Sequence, residues 1–231
     1  MRLFYDPNIK PSDFTYTLSE DESKHVIRVL RMKLGDQIGI LDGKGSSFTC
    51  EIVDDTPKRC GLKIVNVQTE KQVDYDIHVA VGPTKQMERI EWFIEKATEI
   101  GITEITLVEC TNAERAKIKT DRLEKKAISA MKQSHRKFLP KINSLTKVSD
   151  FIINNPNGLI AHCYDEERSE VNSVFKTTKC PILIGPEGDF TIEEIELAKK
   201  HGYKTITLGT NRLRTETAAL FTCMQAKLIT G

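Results

Sequence analysis

Residues 181–195, Pro-Ile-Leu-Ile-Gly-Pro-Glu-Gly-Asp-Phe-Thr-Ile-Glu-Glu-Ile, decide the fold class. Ile182, Leu183 and Ile184 form an unbroken apolar run, as in a strand covered on both faces. The run ends in Gly185-Pro186-Glu187-Gly188-Asp189-Phe190. Thr191 can then cap a helix, with Glu194 completing a capping box and Phe190 set against Ile195 as a hydrophobic staple. Lys199, Lys200 and His201 suit the negative end of that helix, and Gly202 stops it. Strand, glycine-bearing loop and capped helix make the repeating unit of a parallel α/β sheet, which binds ligands at the carboxyl ends of its strands. GPEGDF matches neither GxGxxG nor GxxxxGK[ST], so its residue types leave a plain turn and a ligand loop both open.

A second loop of this kind, Gly209-Thr210-Asn211-Arg212-Leu213, follows a predicted strand at Lys204–Leu208. It leads into Arg214-Thr215-Glu216-Thr217-Ala218-Ala219 and a last helix to about Ile229. Thr215 or Thr217 can cap that helix, and Glu216 suits its first turn. Capping does not call for two arginines beside a glutamate at a strand end, and that cluster favours a functional reading.

The same grammar extends upstream to residue 72. Strands are predicted at Asp76–Val81, Glu104–Glu109, Leu159–Tyr164 and Pro181–Ile184. Helices are predicted at Met87–Ile100, where Ile90, Phe93, Ile94 and Ala97 recur at helical spacing before Gly101, at Thr120–Ser134 and at Ile192–His201. Before residue 72 the chain reads as short strands and turns, with the turn Asp42-Gly43-Lys44-Gly45 between two of them. A helix at about Glu20–Met32 interrupts these strands. At 100° per residue it gathers His25, Arg28 and Arg31 on one face. Two domains are expected, a small β-barrel over residues 1–71 and an α/β domain over 72–231.

With 231 residues, 39% hydrophobic and 29% charged, the chain carries enough apolar material for both cores. It has no 18-residue apolar run and no basic-then-apolar leader at its start, so a membrane span and secretion are not expected. Six cysteines without a CxxC pair argue against zinc and against a disulfide scaffold, and fit reduced thiols in a cytoplasm. Cys163 and Cys180 are placed in strands, and Trp92 in core or dimer packing. The five histidines share no metal-ligand spacing, and no metal is expected. Net charge is only +1, yet eleven basic residues from Arg115 to Lys147 face just Asp121 and Glu124. Lys24, Arg28, Arg31 and Lys33 form a second cluster without any acid. Positive charge segregated in a neutral chain points to a polyanion, or to a solvated helix face.

LIGPEGDFTIEEI followed by LGTNRLRTETAAL resembles the two signature segments of the RsmE family, the 16S ribosomal RNA uridine-N3 methyltransferases of the SPOUT superfamily. Lys85-Gln86-Met87-Glu88-Arg89-Ile90-Glu91-Trp92, Glu95–Gly101, His25–Arg31 and Gly35-Asp36 extend the resemblance over essentially the whole chain. Asp189 departs from it where many members have a second glycine, and Asn211-Arg212 where an arginine followed by an apolar residue is common.

The resemblance implies an N-terminal PUA-like barrel, a SPOUT-type parallel sheet with a C-terminal trefoil knot, a homodimer, and S-adenosylmethionine as cofactor. By position the cofactor would be held by Ile184, Gly185, Pro186, Glu187, Gly188, Leu208, Gly209, Leu213 and Thr215. The implied reaction is N3-methylation of a uridine near the 3′ end of 16S rRNA in the small ribosomal subunit. Arg214 would stabilise charge on the uracil, and Glu216 would act as base or orient an arginine. RNA would lie on His25, Arg28, Arg31, Arg115, Arg122, Arg136 and Lys137. Two other readings compete with this one, a non-catalytic RNA-binding or ribosome-assembly protein and a SPOUT ribose 2′-O-methyltransferase.

Overall fold

The computed structural model describes residues 1–113, 118, 120–175 and 179–230. The chain divides into two compact units, Met1–Gln72 with Met131–Leu139, and Val73–Ala130 with Pro140–Gly231. The first unit thus takes in a segment that the sequence pattern assigns to the second.

In the first unit β1 (Arg2–Tyr5), β2 (Thr15–Thr17), β3 (Gln37–Leu41), β4 (Ser46–Asp54) and β5 (Gly61–Thr69) form a sheet in the order β1-β3-β4-β5-β2. β1 is parallel to β3 and the other neighbours are antiparallel. Strict alternation along β4 sends Phe48, Cys50 and Ile52 into a core with Ile38, Ile40, Leu62 and Val26. The β3–β4 turn requires its glycines, because Gly43 and Gly45 take φ of +71° and +111°. Residues 131–139 dock on this turn. Gly45 N donates to Lys137 O at 2.9 Å, Leu139 N donates to Gly43 O at 3.0 Å, and Lys137 Nζ pairs with Glu70 at 3.0 Å.

The expected helix at Glu20–Met32 is shorter and changes winding. An α-helical stretch, α1 (Glu20–Lys24), is capped by the Ser19 side chain and passes into a π-helical turn at His25–Val29. Leu30 N reaches back five residues to His25 O at 2.9 Å. Arg31 then leaves the helix at φ +56°. A spacing of 100° per residue therefore does not describe His25, Arg28 and Arg31, although all three are exposed.

The second unit holds a seven-stranded, wholly parallel sheet. In chain order the elements after residue 72 begin β6 (Asp76–Val81), α2 (Met87–Ile100), β7 (Glu104–Glu109), α3 (Thr120–Gln133, whose last three residues belong to the first unit), β8 (Lys141–Lys147), α4 (Val148–Asn154) and β9 (Leu159–Ala161). They continue with β10 (Ser169–Glu170), α5 (Val171–Val174), β11 (Lys179–Ile184), α6 (Ile192–Lys200), β12 (Lys204–Thr207) and α7 (Thr215–Thr230). The spatial order is β10-β12-β9-β11-β6-β7-β8, so β11 lies between β9 and β6. Ile182 and Leu183 are fully buried there, as the unbroken apolar run requires. The capping box of α6 is complete: Glu194 N donates to Thr191 Oγ1 at 3.2 Å, and Thr191 N donates to Glu194 Oε2 at 2.8 Å. Gly101 and Gly202 end their helices at φ of +113° and +83°. Among the described residues no helix is long and apolar enough to cross a membrane.

Candidate active site

Because every strand of the second sheet runs the same way, the carboxyl ends of β12, β9 and β11 meet side by side at one edge. A cavity of about 360 Å³ opens there. Its size suits a small organic ligand. Of the expected cofactor residues, Ile184, Gly185, Pro186, Glu187, Leu208, Gly209, Leu213 and Thr215 line it, and Arg214 does as well. Ile206, Thr207, Asn211, Arg212 and Ala218 complete the walls built by β12 and α7.

Gly188 does not line the cavity. It faces Asn112, where an added Cβ would come within 2.9 Å of Asn112 Cβ and of its carbonyl oxygen. The glycine permits this close approach to Asn112, which lies just beyond β7. Thr215 does not cap α7. It is the first residue of that helix, and its buried hydroxyl donates to Gly185 O at 3.0 Å, tying α7 to the loop after β11. Thr217 is exposed. Glu216 is buried and absent from the cavity wall. Its Oε1 lies 3.9 Å from Arg89 Nε on α2, and its Oε2 has no hydrogen-bond partner.

A third wall, without the glycines that mark the other two, comes from the segment after β9: His162, Cys163 and Arg168. β9 ends at Ala161, so Cys163 is not in a strand, and it is exposed. His162 has a fully buried side chain. Its Nε2 is 2.9 Å from Glu166 Oε1, yet neither ring nitrogen makes an aligned hydrogen bond. Burial holds its pKa below the ordinary histidine value, against the pull of Glu166 and Asp189. Arg168 is fixed by donating from Nη1 to His162 O at 2.5 Å. The loop after β11 is held from the other side by Asn112, whose Nδ2 donates to Gly188 O at 3.1 Å.

The expected RNA-contacting residues are divided between the units. His25, Arg28, Arg31, Arg136 and Lys137 belong to the first and Arg122 to the second. Arg115 lies outside the described residues. Arg122 pairs with buried Glu91 at 2.5 Å and Lys137 with Glu70, so neither is a free cation. Among the described residues no group of three His, Cys, Asp or Glu side chains is arranged to hold a metal ion. Trp92 is half-exposed on α2, not core.

Residues 70–227 match the family described as the RNA methyltransferase domain, and residues 18–65 match the RNA methyltransferase PUA domain. Ribosomal RNA small subunit methyltransferase E of Buchnera aphidicola subsp. Acyrthosiphon pisum is 30% identical over 95% of this chain and 89% of its own length. The chain belongs to the ribosomal RNA small subunit methyltransferase E family. The Rickettsia conorii member is 29% identical over 92% of this chain and 89% of its own. A Porphyromonas gingivalis structure described as a "probable rRNA-methyltransferase" superposes with a TM-score of 0.88 at 38% identity, covering 100% of this chain and 98% of that one. A Legionella pneumophila protein solved with S-adenosylmethionine bound gives 0.84 at 27% identity, covering 98% and 96%.

Proposed function

We propose that this family member transfers the methyl group of S-adenosylmethionine to N3 of a uridine near the 3′ end of 16S rRNA. The observation that carries the reading is the cavity itself. Three loops at the carboxyl ends of β9, β11 and β12 enclose it, and Arg214 stands on its wall at the start of α7. The walls fit the cofactor. Ile184, Pro186, Leu208 and Leu213 offer apolar surface to an adenine. Gly209, at φ +108° with no atom within 4 Å of where a Cβ would stand, lets a ligand approach the backbone.

Bound S-adenosylmethionine supplies an activated methyl group, so the protein's own task is alignment and charge. Uridine N3 lies on the pairing edge and carries a proton, so the base must be unpaired or flipped to reach the cavity. With the cofactor bound, its S–C bond would break as N3 took the methyl group, and the imide proton would leave to water. Arg214 donates to a uracil carbonyl oxygen as negative charge spreads onto O2 and O4, and a guanidinium does so at any working pH. Glu216, beside Arg89 and off the cavity wall, is assigned to orienting that arginine and the first turn of α7 rather than to proton removal.

RNA is held through exposed His25, Arg28 and Arg31 with Arg136, by phosphate contacts that position without reading sequence. We further place the loops after β11 and β12 in a C-terminal trefoil knot, and two copies in a homodimer that works in the cytoplasm. The dimer reading is supported by α2 and α7, which pack together and leave Trp92, Phe221, Met224 and Leu228 exposed. Sedimentation of a concentrated sample as a 26.2 kDa particle would refute the dimer.

Primer extension on rRNA from a deletion strain tests the reaction. An N3 methyl blocks pairing and stops reverse transcriptase, whereas a ribose methyl is read through when nucleotides are ample. The expected result is loss of one strong stop near the 3′ end of 16S rRNA, restored by the wild-type chain and not by Arg214→Ala. An unchanged stop pattern refutes the assignment, and absence of S-adenosylmethionine binding by calorimetry would leave only an RNA-binding module.

A further inference from the structure

Asp189 closes the loop between β11 and α6, and its backbone sits at φ +61°, a region disfavoured for a residue with a Cβ. Its side chain accounts for the position. Oδ2 accepts from the backbone N–H of Cys163 at 2.7 Å, and Oδ1 accepts from that of Phe190 at 2.8 Å. The Cys163 N–H belongs to the segment after β9, which forms one wall of the cavity. Asp189 itself belongs to the loop after β11, which forms another. The two segments are adjacent in space only because β9 and β11 are paired. A glycine at 189 would meet the φ requirement more easily but would leave the Cys163 N–H without this acceptor.

We propose that Asp189 is a positioning residue: its carboxylate joins two walls of the cavity, fixes their separation and thereby sets cofactor affinity. The loop is already braced on its other side by Asn112, whose Nδ2 also reaches Asp189 O at 3.3 Å. The carboxylate therefore controls the side facing His162 and Cys163. An aspartate that keeps a disfavoured φ in order to bridge two segments is a form of preorganisation, in which local strain serves a site. The inference rests on reading the cavity as the S-adenosylmethionine site.

The test uses the full chain with Asp189→Gly and Asp189→Asn, measured by thermal unfolding, calorimetry with S-adenosylmethionine, turnover, and hydrogen exchange at the Cys163 and Phe190 amides. Asp189→Gly relieves the backbone while removing both acceptors, so its Tm should stay within a few degrees of wild type. Its Kd and KM for S-adenosylmethionine should rise by about ten-fold, the scale of a lost charge-assisted hydrogen bond, with kcat at saturating cofactor near wild type. Asparagine tolerates this φ and keeps one acceptor, so Asp189→Asn should fall between the two. The Cys163 amide should exchange about ten-fold faster in the glycine variant. Wild-type affinity in Asp189→Gly overturns the proposal. So does a parallel collapse of Tm and binding in both variants, which would mark a residue needed only for folding. If exchange at Cys163 accelerates while even wild type fails to bind S-adenosylmethionine, the bridge stands and the functional reading falls.

Discussion

Gly82→Ala should distort the cavity without replacing a residue that lines it. Gly82 follows β6, its N–H donates to Ile184 O at 2.9 Å, and its φ lies outside the left-handed region, so alanine carries no backbone penalty. The cost is steric. A Cβ at this position would lie 2.7 Å from both Cδ and N of Pro186, a backbone-locked ring that cannot rotate away. To regain ordinary contact at 3.4 Å the loop carrying Pro186 must withdraw by about 0.7 Å. The Thr215–Gly185 hydrogen bond, now 3.0 Å, would stretch beyond reach. Overpacking of this kind costs about 1–3 kcal/mol, and the hydrogen bond adds about 1 kcal/mol. At about 2–4 °C per kcal/mol for a chain of this size, Tm should drop by roughly 4–16 °C. The displaced wall should weaken S-adenosylmethionine binding by about ten-fold or more. Gly35→Ala is the control. That glycine sits at φ +84° in the first unit with nothing within 4 Å, so alanine should lower Tm through backbone strain alone and leave cofactor binding intact. Calorimetry and thermal unfolding on both variants decide the matter. If Gly82→Ala lowered Tm yet bound the cofactor as wild type does, the contact with Pro186 would not be shaping the cavity.

Two further outcomes are expected. His162 and His78 are both held below the ordinary histidine pKa by burial, against Glu166 and Asp189 in the first case and Glu104 and Asp76 in the second; Arg168 and Lys141 add to the lowering. The unfolded chain therefore binds protons that the fold excludes. Stability should be full above about pH 6.5 and decline on acidification, by up to about 1.4 kcal/mol per pH unit for each histidine. Thermal unfolding between pH 7.5 and 5 should show the decline, and His162→Gln should flatten part of it; an unchanged slope would mean that His162 is not excluded from protonation. Reversing charge at Arg28 and Arg31 together should weaken rRNA binding and make its salt dependence shallower by about one unit of slope for each lost phosphate contact. Filter binding across a salt series that showed no change would remove the π-helical turn from the RNA site.

The core elements of the second sheet were legible because their burial is complete. Ile182–Ile184 and Ile105–Val108 are buried without interruption, and the apolar run at 182–184 is one that only a strand covered on both faces tolerates. The edge was not legible. β8 reads Lys-Ile-Asn-Ser-Leu-Thr-Lys with no side chain fully covered, and β10 has two exposed residues, so neither carries a hydrophobic period. The π-helical turn at His25–Val29 leaves no trace in residue types, so the 100° spacing does not describe how His25, Arg28 and Arg31 are set around the turn. Gly188 is ambiguous for a different reason. Its residue type announces a close approach but not what approaches, and the neighbour is Asn112. The wall from His162 to Arg168 had one available signal: it follows a buried strand, Leu159–Ala161, at the carboxyl end where such sheets bind ligands. It lacks glycine, and only the pairing of β9 with β11 brings it beside the GPEGDF loop.

The docking of Met131–Leu139 on the β3–β4 turn bears on the order in which the protein can be made. When Gln72 leaves the ribosome, all five strands of the first unit exist, but Gly43 O, Gly45 N and the Glu70 carboxylate still lack partners that lie up to 67 residues ahead (139 minus 72). At about 5–20 residues per second the nascent sheet waits roughly 3–13 s with that corner open. During the wait it must survive on the Phe48, Ile38 and Leu62 core alone. A gene fragment cut at residue 72 would make the wait permanent, so any attempt to transplant the N-terminal unit must carry residues 131–139 with it.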